Sequence, residues 1–428
     1  MNILVVTPEL PWPPETGGKA SQFATLKALE TDHSFRLVIT RASPQLYTLA
    51  AELEAALPHV RVIRAQSESA PKEQIRTRPS WLQWGKDQLR SIKRAFRADA
   101  QGAPAQPSNP TRPYYPFVPI CSEALVAISE HLAWADLIQA EFHESLYIAF
   151  LPITTIPKIF ICHQAHARFC ERFYHSRATA DLLAQTDCMA ALVLETQCMK
   201  RFSRIITFTQ EDRDALLSEE ASLSIRVSPF PIPADCETIA PNAVQKWPLD
   251  IVYVGSGVWH PNVEAVRWFS QEVYPLLRLE LPLADCCLHV IGHWPEDLRQ
   301  TFPEGEVLFH GFTSQMADVL TGNISINPVF TGAGLRTKLL AAAACSSPMV
   351  STSIGCEGLG LQHEHHALLA DSPADFATAI TTLKRSKSRA KALAENAFLH
   401  VHSTFSAEAV RDKRNQIYAS VCQEFARK

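Results

Sequence analysis

The chain has 428 residues, of which 46% are hydrophobic and 20% charged, with a formal net charge of −4. That length exceeds one ordinary core and points to two domains of about 200 residues each; the apolar content excludes general disorder. The charge balance argues against a basic nucleic-acid-binding domain, and no stretch approaches the roughly 18 consecutive apolar residues of a membrane-spanning helix.

The eleven cysteines are scattered, with only Cys286 and Cys287 adjacent and no Cys-x-x-Cys pair. This pattern favours neither a zinc site nor a disulfide framework and is the one expected in a reducing cytoplasm. Met1-Asn2-Ile3-Leu4-Val5-Val6-Thr7 runs straight into apolar residues without the features of a secretory signal.

In chain order, the first half opens with a strand at 2–7, a Pro-rich loop through Gly17 and Gly18, and a helical pattern at 20–30. A strand at 35–40, a helix at 44–57 and a strand at 60–64 continue an alternation suited to a parallel sheet covered by helices. Residues 65–119 break that rhythm. Within them, 81–98 places Lys86, Arg90, Lys93, Arg94 and Arg97 beside Trp81, Leu82, Trp84, Leu89, Ile92 and Phe96, and a Pro-rich stretch follows. This is an inserted or lid-like segment, its basic helix either an ordinary surface helix or a contact for an anionic membrane or lipid-diphosphate acceptor.

Strands at 134–139, 158–162 and 204–207 complete a first domain over 1–235. Pro229, Pro231 and Pro233 favour extended backbone leading into a linker at 236–249. The alternation then restarts over 250–405. Strands are expected at 250–254, 287–291, 306–310, 324–328, 349–352 and 367–370, with helices at 263–280, 295–302, 314–320 and 336–344. A last amphipathic helix, 406–428, is long enough to cross between domains.

The candidate binding residues fall at the carboxyl ends of these strands, where open α/β sheets bind ligands. Gly332, Ala333, Gly334 and Leu335 stand between a strand and the helix beginning near Arg336, so backbone N–H groups there can approach a phosphate closely. Arg336 can grip two phosphate oxygens and Lys338 can add a point charge. The same glycines also suit a plain tight turn, and the same cations a solvated face. Gly255 and Gly257 follow the strand at 250–254, ahead of His260 and Asn262, which suit either a ligand contact or loop shaping. Gly17 and Gly18 suit either close approach of the first loop to a sugar or a hinge. Glu141, His143 and His163 cluster after two strands, near His166, as groups able to orient an acceptor or assist proton transfer. They do not supply the ligand set of a zinc site. The run from His363 to His366 is expected in solvent.

Several motifs occur together in one order: Val6-Thr-Pro-Glu-Leu-Pro-Trp-Pro-Pro14 with Gly17-Gly18, Tyr253-Val-Gly-Ser-Gly-Val-Trp-His-Pro-Asn262, Val290-Ile-Gly292, His310-Gly-Phe312, Gly332-Ala-Gly-Leu-Arg-Thr-Lys-Leu-Leu340 and Val350-Ser-Thr-Ser-Ile-Gly-Cys-Glu-Gly358. In them the chain resembles the glycosyltransferases of the GT-B fold, particularly the family-four retaining transferases, or glycosyl transferases group 1. The resemblance implies an α/β protein with two Rossmann-like, doubly wound domains facing a cleft and a C-terminal helix crossing back to the first. It implies a nucleotide-diphosphate sugar as co-substrate, with no resident cofactor or metal. The donor would lie at Gly255, Gly257, His260, Asn262, Gly332, Ala333, Gly334, Leu335 and Glu357. A glycan, lipid-linked or protein acceptor would lie near Gly17, Gly18 and Glu141, with His143, His163, Arg336 and Lys338 assisting a transfer that retains configuration. The implied setting is cytoplasmic, with peripheral contact to the inner face of a membrane through 81–98 and no nucleic-acid partner.

Ala341 departs from the pattern, because the family carries there a glutamate that grips the nucleotide ribose. A carboxylate accepts two hydroxyl hydrogen bonds and an alanine side chain none. Cys345-Ser-Ser-Pro348 and Pro229-Phe-Pro231 likewise replace family turns. These departures keep a second reading open: a catalytically silent GT-B protein that binds a glycan or partners an active transferase.

Overall fold

The computed structural model describes residues 1–41, 46–63, 120–175, 182–237, 239, 249–313 and 315–427. The expected insertion at 65–119, with its basic helix at 81–98, and most of the expected linker lie outside these residues.

Seven parallel strands form the first sheet: β1 (Asn2–Thr7), β2 (Ser34–Ile39), β3 (Val60–Ile63), β4 (Leu137–Glu141), β5 (Lys158–Cys162), β6 (Arg204–Thr207) and β7 (Ile225–Val227). Their spatial order is β3-β2-β1-β4-β5-β6-β7. The central strands are apolar runs, Ile3-Leu-Val-Val and Ile159-Phe-Ile, because helices cover both faces and every one of these side chains is buried. The winding reverses between β1 and β4, which opens a crevice at their carboxyl ends.

The second sheet holds β8 (Ile251–Val254), β9 (Leu288–Ile291), β10 (Val307–Phe309), β11 (Ile324–Asn327), β12 (Met349–Ser351) and β13 (Leu368–Leu369), in the order β10-β9-β8-β11-β12-β13. All of its pairings are parallel, and its reversal lies between β8 and β11. The chain is thus built on two doubly wound α/β sheets, as the resemblance implies.

Three local differences from expectation have physical causes. The first helix spans Gly17–Leu29, because the Thr16 hydroxyl accepts the N–H of Lys19 and caps it. Gly17 and Gly18 therefore sit in its first turn rather than in a loop. The strand expected at 134–139 starts at Leu137, since Trp134 and Ala135 close the end of the helix Ser122–His131 through bonds to the carbonyls of His131 and Leu132. The helix expected at 263–280 is His260–Trp268, a π turn Phe269–Val273 and Tyr274–Glu280. The widened turn immediately precedes the segment holding Pro275, whose ring nitrogen cannot donate to the helix ladder.

The C-terminal helix Ala407–Ala426 returns to the first sheet's side of the molecule. There Arg414, fully buried, donates from Nε to Ser228 Oγ at 3.2 Å and from Nη2 to Ser228 O at 3.3 Å. Asn415 donates to the Asp32 carboxylate at 2.6 Å. Among the described residues no helix is long and apolar enough to cross a membrane.

Candidate functional site

At the reversal of the first sheet, β4 ends on Glu141 and the chain turns through Phe142 at φ 62°, a left-handed conformation seldom adopted by a non-glycine residue. The turn brings the Phe142 ring onto His163, with centroids 3.7 Å apart and planes 19° apart. The edge-on contact with Phe208, at 4.8 Å and 73°, further confines that imidazole. His163 Nε2 lies 2.7 Å from Glu141 Oε2. An ionised carboxylate only accepts, so this network assigns the proton to Nε2. Nδ1 is then a lone-pair acceptor, and it has no hydrogen-bond partner among the described residues.

His143, expected beside His163, is drawn instead into the core of the first domain. Its Nε2 lies 2.6 Å from Glu195 Oε1. The same carboxylate accepts the N–H groups of His166 at 2.9 Å and Ala167 at 3.1 Å, at the start of the helix His166–His175. Burial opposes ionisation of Glu195, but the bonds from His143 and the helix start hold its pKa below the usual range. Ligand-type atoms of His143, Cys162 and Glu195 all lie within 4.8 Å of one another. The 2.6 Å separation is nevertheless a hydrogen bond, and burial pushes the Cys162 thiol well up. This group anchors a helix, and the expectation that His143 shares the rim with His163 is corrected accordingly.

The Gly-rich loop joins β11 to the helix Thr337–Ala344. Gly334 has φ 81°, and a Cβ there would lie 2.4 Å from the His163 carbonyl oxygen, so glycine is needed where this loop meets the first domain. At Gly17 a Cβ would lie 2.9 Å from Thr337 Oγ1. The first turns of Gly17–Leu29 and Thr337–Ala344 therefore meet, and the positive ends of two helices converge on one place.

Arg336 donates to the carbonyls of Ile354 at 3.2 and 3.1 Å, Gly332 at 3.3 Å and Ala333 at 3.4 Å, which pins the loop. Desolvation brings its pKa down to about 10, leaving it charged at neutral pH. Lys338 Nζ lies 2.8 Å from both Tyr253 Oη and Asn262 Oδ1, and 4.2 Å above the Tyr253 ring. Desolvation, reinforced by the Arg336 charge, lowers its pKa to about 7. Asn262 is buried, and its Nδ2 donates to Ser256 O at 2.8 Å, fixing the amide so that its oxygen faces Lys338.

The other expected donor-side residues also have defined places. Gly255 O accepts the indole N–H of Trp294 at 2.7 Å, and Gly257 N donates to His293 O at 2.9 Å, tying the loop after β8 to that after β9. His260 is buried, with Nδ1 3.4 Å from Glu264 Oε2 and its ring edge toward Phe173. Ala341 lies in the apolar core with Leu339, Leu340 and Ala342. His366 is buried rather than solvated: its Nδ1 accepts the N–H of Gln362 at 2.9 Å.

Two cations that the motifs do not include complete the arrangement. On the helix His166–His175, Arg172 binds both oxygens of Glu357 at 2.7 Å and the Gly332 carbonyl at 2.7 Å. Arg168 reaches Glu357 at 3.2 Å and Asp212 at 3.7 Å. Phe169 stacks on Trp259 at 5.5 Å, and Phe173 meets His260 at 6.2 Å. Burial disfavours the Glu357 carboxylate, yet Arg172, Arg168 and Arg336 hold its pKa below the usual range. Three guanidinium groups, Arg168, Arg172 and Arg336, and Lys338, which is only partly charged near neutral pH, thus gather with two carboxylates, Glu357 and Asp212, an excess of positive charge suited to a polyanion. The signal for the missed pair was Arg168-Phe169 followed by Arg172-Phe173, two like pairs one helical turn apart and so on one face.

Residues 248–386 match the family model described as glycosyl transferases group 1. The chain is 28% identical over 171 residues to an uncharacterized 44.6 kDa protein in the cps region of Klebsiella pneumoniae, a match covering 38% of this chain and 44% of that protein. It therefore spans less than half the length of that curated relative. Among solved structures, it is similar to Anabaena HepE in complex with UDP-glucose (TM-score 0.62, 14% identity, covering 98% of this chain and 100% of that one). It is also similar to sucrose-phosphate synthase from Thermosynechococcus elongatus (TM-score 0.64, 16% identity, 100% of both chains). A third is a point mutant of S. aureus TarM in complex with Fondaparinux, alpha-GlcNAc-glycerol and UDP (TM-score 0.65, 10% identity, 98% and 99%).

Proposed function

For a chain that has the GT-B fold of glycosyltransferases and carries a glycosyl transferases group 1 segment at 248–386, we propose transfer of a sugar from a nucleotide-diphosphate donor to a glycan, lipid-linked or protein acceptor, with retention. The observation that carries this reading is the convergence of two helix N-termini, at Gly17 and Thr337, beside Arg336 and Lys338.

In that reading the sugar–phosphate bond breaks, an acceptor oxygen bonds to the anomeric carbon, and negative charge grows on the departing diphosphate. The helix starts and Lys338 stabilise that charge, and Arg336 holds the loop that presents the N–H groups. Retention requires acceptor approach on the face the diphosphate leaves, so a departing phosphate oxygen is the nearest base for the acceptor proton. His163, clamped between Phe142 and Phe208, offers Nδ1 to a sugar hydroxyl and orients it. The close contact of Gly334 with the first domain supports exclusion of water during transfer.

The silent reading rests on Ala341, which cannot replace a ribose-gripping carboxylate. If nothing compensates, nucleotide binding loses about 1.5 to 3 kcal/mol, roughly ten- to a hundred-fold in affinity. Calorimetry against uridine, guanosine and adenosine diphosphate sugars separates the readings. The transferase reading expects binding of one nucleotide class and loss of turnover in Lys338→Ala. Absence of binding across the panel would establish the silent reading, and an undiminished transfer rate in Lys338→Ala would remove the assigned role of that lysine.

A further inference from the structure

The pair formed by Glu141 and His163 continues beyond Glu141. Glu141 Oε1 lies 2.6 Å from Nε2 of Gln139, two residues back on the same face of β4. Gln139 Oε1 in turn lies 2.5 Å from the phenol oxygen of Tyr418, on the C-terminal helix Ala407–Ala426. Gln139, Glu141 and Tyr418 are all buried, so water does not substitute freely for any of these bonds.

The chemistry of each group fixes the direction of the chain. Burial pushes the Tyr418 pKa up, so its hydroxyl keeps its proton and can donate. The Gln139 carbonyl accepts that proton, which turns its NH2 toward Glu141. The carboxylate accepts there on one oxygen and takes the Nε2 proton of His163 on the other.

We infer that Tyr418 and Gln139 are positioning residues for His163: a three-bond relay from the last helix holds the cleft imidazole in its Nε2-protonated tautomer, with the Nδ1 lone pair available to a hydroxyl. Without the hydroxyl at 418, the buried Gln139 carbonyl loses its donor and the amide is held only by its bond to Glu141, so the carboxylate is less firmly oriented toward Nε2. The value of the relay to catalysis rests on the hydroxyl-orienting role given to His163 above, but the tautomer it imposes does not.

The test uses the full-length protein with 15N-labelled histidine, the His163 signals being identified by their loss in His163→Gln. At a pH where the ring is neutral, wild-type protein is expected to show a protonated Nε2 and an unprotonated Nδ1. Tyr418→Phe, which deletes one oxygen atom, is expected to move both ring-nitrogen shifts toward a tautomer mixture. With an identified donor and acceptor, it is expected to lower kcat about ten-fold while donor KM stays within about two-fold. Should thermal melting show Tyr418→Phe to be unfolded, Gln139→Met breaks the same relay from its other partner. An Nδ1-protonated wild-type ring, or unchanged shifts in a folded relay variant, would overturn the inference. Altered shifts with unchanged kcat would uphold the relay and instead overturn the role of His163 in transfer.

Discussion

Lys338 carries the most informative single charge in the cleft. Its two polar partners, Tyr253 and Asn262, are neutral, and desolvation with the nearby Arg336 charge brings its pKa down to about 7. The folded-state pKa therefore lies below the unfolded value, and the unfolded chain binds the extra proton first. Between those two values stability rises with pH, and below about 7 this lysine adds no further pH dependence. A diphosphate beside Nζ favours the ammonium, so its binding should take up protons. We predict that nucleotide affinity strengthens as pH falls from about 8 to about 6, with proton uptake measured by titration calorimetry in buffers of different ionisation enthalpy. Lys338→Arg should abolish that uptake, because guanidinium stays charged throughout. The cation itself was legible from its position after Gly332-Ala-Gly. Its depressed pKa was not, since that comes first from desolvation, and the burial responsible arises only when β8 and β11 pair and bring Tyr253 and Asn262, far away in the chain, against the lysine.

Regular elements were largely legible because both sheets are parallel and their central strands are covered on both faces, so these strands stand out as apolar runs between turn residues. Elements that meet across the cleft were less so. The helix His166–His175 follows β5 with an alternation of charged and aromatic residues whose partners, Glu357, Trp259 and His260, lie in the loops and the first helical turn of the other domain. His143 shows the same limit: proximity to Glu141 in sequence suggested a shared rim, and Glu195, fifty-two residues onward, pulls it into the core. At this scale Gly334 offers a sharp test. Alanine there meets both a φ of 81° and the His163 carbonyl 2.4 Å from its Cβ, so the two domains cannot keep their present contact. We predict that Gly334→Ala loses stability by about 1–2 kcal/mol from the backbone alone. Nucleotide affinity should fall further than that, as read by chemical denaturation and calorimetry on the same preparation. An unchanged melting curve and unchanged affinity would show that the loop leaves the first domain without cost.

For the molecule as a whole, the question is what holds two separately wound sheets in register across the cleft between them. The C-terminal helix, anchored by buried Arg414 and Tyr418, ties the end of the chain to the first sheet. The pair of Arg172 with Glu357 ties helix to loop directly over the Gly332 carbonyl. That pair is bidentate and partly shielded, a geometry in which charged hydrogen bonds are about twice as strong as neutral ones. Its carboxylate has a pKa below the unfolded value, so the unfolded state takes up the proton first as pH falls. The stabilisation is present above the ordinary glutamate range and is lost as pH drops through the folded pKa. Arg172→Leu and Glu357→Gln should each lower stability at neutral pH, and the double variant should cost less than their sum, with a coupling of about 1–3 kcal/mol. Small-angle scattering should show a larger radius of gyration in each single variant, whereas Arg213→Gln, a change at a half-buried residue paired with its neighbour Asp214, should leave it unchanged. Additive energies with an unaltered radius would mean that the pair joins surfaces held together by Phe169, Trp259 and the crossing helix alone. Coupling with expansion would make the Arg172–Glu357 contact the element through which closure of the cleft responds to charge.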